Sequence, residues 1–341
     1  MPHLAAVALP RYSGLLMPLE DSGPTTMQST APKISVVIPV HNYGSFLPAA
    51  LESVLQQDDD ALEIVVIDDG SSDDTATVAR QWTARHPSRV RYYRQSNRGP
   101  GAARNNGAQQ CDGNYLLFLD ADDRMLPGAL SHFRRAFAAN PDADLIYGGY
   151  RSVYRDGSSR SRLAPRVSQT KFQNFCRFVR DELCVCNGGA IMLRKRVFDA
   201  VRYPESIRTS EDYVFFAHAI ALFDCASFPN PVVAITKHDA SLRNNAQVLA
   251  TAGMQMVDLL FDSEILPPEY FALRPEVHSR WCLVVSRALF KHGDLAGAKK
   301  SYEQAIKVYP SSLRLIGYLR KYLRATVKLW LKKIHRYRGR L

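Results

Sequence analysis

Ile34-Ser35-Val36-Val37-Ile38-Pro39-Val40 and Glu63-Ile64-Val65-Val66-Ile67 decide the fold. Both are β-branched runs without polar alternation, the pattern of a strand buried on both faces. Between them, Leu47, Leu51, Val54 and Leu55 recur at helical spacing within Phe46 to Gln57. Strand, helix and buried strand in that order form a βαβ unit, and such units build parallel sheets.

The alternation continues outward. Asp73 and Asp74 open a second helix, where acids suit the positive end of the helix dipole. Arg89 to Tyr93 reads as a third strand, Gly101 to Gln110 as a short helix and Tyr115 to Leu119 as a fourth strand. Leu130 to Ala138 is a further helix and Asp144 to Tyr150 a further strand. Asp156-Gly157 marks a hairpin turn. Strands are expected at Gly188 to Leu193 and Val232 to Thr236, with a helix from Asp212 to Phe223 between them. From Gln247 the pattern is helical. Trp281 to Lys291, Gly293-Asp294 and Leu295 to Val308 read as a helix–turn–helix resembling one tetratricopeptide unit. A single unit cannot bury both of its faces, so it is expected to pack on the preceding domain.

The composition is that of a globular chain, with 46% hydrophobic residues in 341. No run of about 18 apolar residues occurs, so no membrane-spanning helix is expected. His3 to Leu9 is apolar but stops at Pro10 and Arg11, too short for a secretory signal. Residues 1–32 lack periodicity and read as a flexible leader. The six cysteines include a Cys-x-Cys at Cys184 and Cys186 but no zinc spacing, so reduced thiols in a cytoplasmic protein are expected. The net charge of +11 is localised: ten basic residues and no acid lie between Leu313 and Leu341, leaving +1 for the rest. A near-neutral body argues against nucleic acid as a partner.

Four loops follow the first four strands, at the strand ends where an open parallel sheet binds its ligands. The first is Pro39-Val40-His41-Asn42-Tyr43, in which the imidazole offers a flat ring for a base. The second, Asp68-Asp69-Gly70-Ser71-Ser72, offers carboxylates to a base N–H or a ribose hydroxyl, or else caps the next helix. The third, Asn97-Arg98-Gly99-Pro100-Gly101-Ala102-Ala103-Arg104-Asn105-Asn106-Gly107, lets a backbone approach closely at a helix N-terminus and adds the Arg104 fork. It is not a Walker loop, because Gly-Lys-Ser/Thr is absent. The fourth, Leu119-Asp120-Ala121-Asp122-Asp123, holds three mutually repelling carboxylates, and oxygen ligands of that kind select Mg²⁺ or Mn²⁺.

Val-Val-Ile-Pro-Val-His-Asn, Asp-Asp-Gly-Ser, Asn-x-Gly-x-x-x-Ala-Arg-Asn-x-Gly and Phe-Leu-Asp-Ala-Asp-Asp, in this order, resemble family 2 glycosyltransferases over about residues 33 to 240. The resemblance implies a GT-A-type α/β fold, a mostly parallel sheet flanked by helices, with an all-helical C-terminal extension. It implies a domain at 33–245, whose 33–150 half binds the nucleotide sugar and whose 151–245 half binds the acceptor. Residues 246–310 would then be the helical extension and 311–341 a basic amphipathic helix.

The same resemblance implies roles. His41, Asn42, Asp68, Asp69, Arg104 and Asp120 would bind the nucleotide. Asp122, with Asp120, Asp123 and His238, would hold Mg²⁺ or Mn²⁺. Thr209-Ser210-Glu211-Asp212-Tyr213 would supply the base for the acceptor hydroxyl, Asp212 first and Glu211 in reserve. The implied reaction is inverting transfer from a nucleotide-diphosphate sugar, UDP foremost, to a glycan or lipid-linked acceptor in cell-envelope polysaccharide synthesis. A sugar-nucleotide nucleotidyltransferase would carry a Gly-rich basic loop where His41-Asn42-Tyr43 stands, and a non-catalytic scaffold has no need of the acids at 120–123. Finally, Ile316, Leu319, Leu323, Val327, Trp330 and Ile334 form one helical stripe, with Arg320, Lys321, Arg324, Lys328 and Lys332 largely off it. That pattern fits a helix lying on an anionic membrane surface at the inner face, or one docked on the enzyme.

Overall fold

The computed structural model describes residues 31–183, 189–237 and 246–338. The first half follows the expected alternation: β1 (Ile34–Val40), α1 (Leu47–Leu55), β2 (Leu62–Asp69), α2 (Thr75–Arg85), β3 (Val90–Gln95), α3 (Pro100–Gln109) and β4 (Tyr115–Phe118). Then come β5 (Arg124–Met125), α4 (Ala129–Ala139), β6 (Leu145–Val153), β7 (Ser159–Arg162), α5 (Lys171–Val179), β8 (Ile191–Arg194), α6 (Lys195–Ala200), α7 (Glu211–Leu222) and β9 (Cys225–Thr236). Four helices close the chain: α8 (Ala246–Leu260), α9 (Arg274–Lys291), α10 (Leu295–Val308) and α11 (Ile316–Arg338).

One sheet runs β3-β2-β1-β4-β8-β6-β9-β5, with β7 paired to β6. β3, β2, β1 and β4 are parallel, with Ile34 opposite both Leu62 and Tyr115. Beyond β4 the sheet turns mixed: β8 runs antiparallel to both β4 and β6, while β6 and β9 are parallel. The parallel half therefore carries the four loops at one end, and the mixed half extends the floor beside them.

Because successive side chains of a strand point to opposite faces, the apolar runs feed two cores. Val37, Val65, Ile67, Leu116 and Phe118 join one, completed by α5, α7, α8 and the start of α9. Val36, Ile38, Ile64, Val66 and Leu117 join the other, with α1 and α4. Met256, Val257, Leu260 and Val277 sit in the first core, with Trp281 packed against it. α8 and the start of α9 thus finish the first core, while Leu283 of α9 and Tyr302 and Ala305 of α10 form a small core of their own. Arg180 on α5 makes a two-pronged pair with Glu276 on α9, at 2.9 Å to each oxygen.

Two boundaries and one helix differ most from expectation. β2 runs on through Asp68 and Asp69, which are its last residues and not loop. β9 starts at Cys225, well before Val232, because Pro229 and Pro231 hide it; its register against β6 shifts at Gly149. α5 was not anticipated. It is short, capped by the Thr170 hydroxyl accepting from Gln173 N, and buries Phe175, Phe178 and Val179. The hairpin expected at Asp156-Gly157 joins β6 to β7, with Gly157 at φ +80°.

α3 lies against β1 so closely that a Cβ at Gly107 would come within 2.3 Å of Val37 Cγ1. Gly317, inside α11, has open space around it. Gly107→Ala is therefore expected to lower the unfolding free energy by about 1–3 kcal/mol. Gly317→Ala should leave it unchanged or raise it by up to about 1 kcal/mol. Urea unfolding of both variants checks this, and equal behaviour would show that α3 is not wedged on the sheet.

Candidate active site

The four loops do converge. Asn42 sits in the left-handed region at φ +57°, a conformation Asn tolerates, and so turns the chain sharply after β1. Its side-chain oxygen accepts Ser72 N at 2.8 Å and its own N–H donates to Ser71 Oγ at 2.9 Å, which ties the first loop to the second. His41 is exposed, with Nδ1 at 2.9 Å from Asp69 O and Nε2 at 3.2 Å from Asn97 Nδ2. A carbonyl only accepts and an amide N–H only donates, so this network assigns the proton to Nδ1. Arg208, ahead of α7, donates to Asn97 Oδ1 at 2.7 Å.

Asp68 and Asp69 are filled by the protein's own donors. Asp68 is buried and accepts Ser71 N at 2.8 Å and the Tyr92 hydroxyl at 2.9 Å. Burial first, and then Asp68, push that tyrosine up to about 12. Asp69 accepts Arg98 N, Gly99 N and Gln95 Nε2, each at 2.8 Å. Both acids, expected at the nucleotide, already accept hydrogen bonds from within the protein. They fasten the second and third loops to β2, and of roughly four acceptor positions on the Asp69 carboxylate one is left over.

Arg104, expected near the base or the diphosphate, has a buried guanidinium 2.6 Å from Glu211 and 2.8 Å from Asp120. Its carbon lies 5.4 Å from the centre of the Tyr203 ring, which in turn stacks on Phe215 at 4.1 Å. Burial pulls its pKa down, but Asp120 and Glu211 more than reverse this, so it stays charged. The neighbouring Asn105 bonds both backbone groups of Tyr203. At Gly101 a Cβ would meet Pro204 O at 2.6 Å. The Ala-Arg-Asn stretch of α3 thus grips the segment that leads into α7.

That grip shapes the acid pair. Ser210 precedes α7 at φ +62° and makes no side-chain cap bond. The strained turn directs Glu211 inward, where it is buried against Arg104. Burial raises the Glu211 pKa, offset by Arg104. Asp212 is partly exposed and accepts Tyr213 N at 2.8 Å. Of the two, Asp212 has the access a base needs, and Glu211 is held as a strut.

Asp120, Asp122 and Asp123 have carboxylate oxygens within 4.8 Å of one another. Asp123 is buried and accepts Thr236 N at 3.0 Å; burial first, then Asp120 and Asp122, raise its pKa well above the usual carboxylate range. Tyr43 lies near enough that, after burial, Asp122 and Asp120 raise its pKa too. Three convergent oxygen donors whose charges oppose one another fit a hard divalent cation. His238 lies outside the described residues, as do Cys184 and Cys186; the four described cysteines are free thiols. Tyr203 and Arg208 were not anticipated, because only folding brings them to the motifs; Tyr43 and Asn97 lie within the quoted loops but were given no role there.

Residues 35–202 match the family model described as glycosyl transferase family 2. These residues form a domain of that family. The match takes in all four loops and ends before Glu211 and Asp212. Over 102 residues the chain is 42% identical to the GalNAc(5)-diNAcBac-PP-undecaprenol beta-1,3-glucosyltransferase of Campylobacter jejuni, covering 29% of this chain and 33% of that protein. Over 127 residues it is 35% identical to the chondroitin synthase of Escherichia coli, covering 37% of this chain and 18% of that one. These alignments span a third or less of those relatives' lengths. S. aureus TarS 1–349 in complex with UDP-GlcNAc superposes with a TM-score of 0.54 at 18% identity, over 82% of this chain and 92% of that one. Mannosyltransferase PcManGT from Pyrobaculum calidifontis, in complex with GDP-Man and Mn²⁺, does so at 0.55 and 17%, over 89% of each. At such identities the likeness is one of fold.

Removing the charge of Glu211 leaves a buried guanidinium with one carboxylate in place of two. Glu211→Gln is therefore expected to cost about 3 kcal/mol of stability, and Asp212→Asn under about 1 kcal/mol. Denaturant unfolding of both compares them. A Glu211→Gln protein as stable as the parent would remove Glu211 from its role as a strut.

Proposed function

We propose that this family member transfers a sugar, with inversion, from a nucleotide-diphosphate sugar to a hydroxyl of a glycan or lipid-linked saccharide. The observation that carries the reading is that the one guanidinium of Arg104 joins Asp120, from the acids at 120–123, to Glu211, the neighbour of Asp212. The family match supports the reaction class. The names of the Campylobacter and Escherichia relatives support a saccharide acceptor. Solved structures of this fold with UDP-GlcNAc and with GDP-Man and Mn²⁺ support the donor class, with a UDP-sugar as the first choice.

The exposed His41 and Asn97, floored by Asp69, would receive the base. Asp122, with Asp120 and Asp123, would hold Mg²⁺ or Mn²⁺, which when bound neutralises charge on the diphosphate leaving group. Asp212 takes the proton of the acceptor hydroxyl. The hydroxyl oxygen bonds to the anomeric carbon as the bond from that carbon to the diphosphate oxygen breaks on the opposite face. One displacement inverts the centre, and no covalent sugar–enzyme species forms, unlike the two-carboxylate retaining hydrolases. Glu211 and Arg104 keep Asp212 and Asp120 at a fixed separation, and a fixed separation is what a positioned base requires.

A panel of UDP- and GDP-sugars with Mn²⁺, scored by thermal shift, identifies the donor, because a ligand that binds only the folded state stabilises it by mass action. With that donor, Asp212→Asn is expected to lower turnover by about a hundredfold or more at nearly unchanged donor KM. Asp122→Asn should abolish transfer and the metal dependence of donor binding. An Asp212→Asn enzyme with near-normal kcat would refute the base, and a metal-responsive Asp122→Asn enzyme would refute the ligand.

A further inference from the structure

α11 has three sectors. One is docked: Leu315, Tyr318, Leu319 and Tyr322 pack on the small core of Leu283, Tyr302 and Ala305 in α9 and α10, Tyr322 stacks on Tyr302 at 4.5 Å, and Ala325 is buried. At about 100° per residue, a second sector of roughly 60° holds Ile316, Leu323, Val327 and Trp330. These are 60%, 52%, 56% and 62% exposed. Arg320, Arg324 and Lys328, all exposed, form the third sector alongside. The apolar line is therefore not what holds the helix to the enzyme. Tyrosines on another face do that, and the line stays in water beside a cationic flank.

Four large side chains in a row at that exposure are an interaction surface and not scattered surface residues. The charge says what covers it. From Leu313 to Leu341 the chain has ten Lys or Arg and no Asp or Glu. Pairing two copies stripe to stripe would bring two such segments together without a counter-charge. Crossing a bilayer is excluded for this helix, since none of the described helices is long and apolar enough. A plane that is apolar below and anionic at its surface satisfies both sectors at once, with the docked sector holding the enzyme above it.

We propose that the exposed stripe of α11 and the Arg320–Arg324–Lys328 flank seat this enzyme on an anionic lipid surface. The helix lies in the plane of the headgroups, with Trp330 at the boundary. The inference is independent of which sugar is transferred and of whether Asp212 is the base.

Flotation of the full chain with vesicles of phosphatidylcholine, with or without about 30 mol% phosphatidylglycerol, tests it. Removing the helix would uncover the docked tyrosines, so the variants are confined to exposed positions. The parent is expected to float with the anionic vesicles at least about tenfold more than with the neutral ones, and high salt should release part of it. Leu323→Glu/Val327→Glu and, separately, Arg320→Glu/Arg324→Glu are each expected to reduce binding about tenfold at unchanged melting temperature. Quenching of tryptophan emission by brominated lipid should be lost in Trp330→Phe. Failure of the parent to float overturns the proposal. So does equal flotation of the Leu323→Glu/Val327→Glu chain. A parent dimer that dissociates in that variant would assign the stripe to a second copy, and a lowered melting temperature would assign it to packing within the chain. Either result overturns the proposal as well.

Discussion

The buried guanidinium of Arg104 is the constraint on which the site depends. Three anions would otherwise stand at the top of the sheet without a counter-charge: Asp120 after β4, Glu211 at the start of α7 and, more remotely, Asp212. Arg104 bridges the first two, at 2.8 and 2.6 Å, and adds to the electrostatics of the third only at longer range. A charge pair in low dielectric is an unreliable source of net stability, because desolvation offsets much of the attraction. What it supplies is geometry: either carboxylate, on leaving, would leave a buried cation with one partner in place of two. The acidic loop after β4 and the start of α7, where Glu211 lies 107 residues from Arg104 along the chain, are held by one side chain.

The scaffold around it follows from close packing. Gly107 lets α3 press on β1, and Gly101 admits the carbonyl of Pro204. Asn105 fixes the backbone of Tyr203, whose ring lies between Arg104 and Phe215. Within the described residues the Tyr203 hydroxyl and Arg104 Nε are buried without a hydrogen-bond partner. Such orphaned groups cost stability, and they persist here beside the acid pair, where a fixed ring over the guanidinium serves the site.

The parallel half of the sheet was legible because β1, β2 and β4 are buried on both faces and so carry uninterrupted apolar runs. The acidic loop after β4 was legible because adjacent carboxylates have few structural uses. Less was readable where the chain is gripped from afar. Nothing local tells Arg104 that its partners are Asp120 and Glu211 and not a phosphate, since a guanidinium fork suits either anion. Asp69 reads as a ligand for a base because two of its donors, Arg98 and Gly99, come from the third loop, while Asp68 is capped from within its own loop by Ser71. β9 was read short because its prolines imitate a loop. The stripe of α11 was visible as periodicity, but only the tyrosine-lined contact with α9 and α10 shows that the helix docks through a different face.

The central claim is that these loops make one metal-dependent nucleotide site. Titration calorimetry of UDP and of GDP into the full chain, with and without Mn²⁺, tests it most directly. One nucleotide should bind at one site per chain, at least about tenfold more tightly with Mn²⁺ than without, since an ion held by Asp120, Asp122 and Asp123 would offset the diphosphate's charge. Binding of equal strength without the ion, or none of either nucleotide with it, would contradict the account.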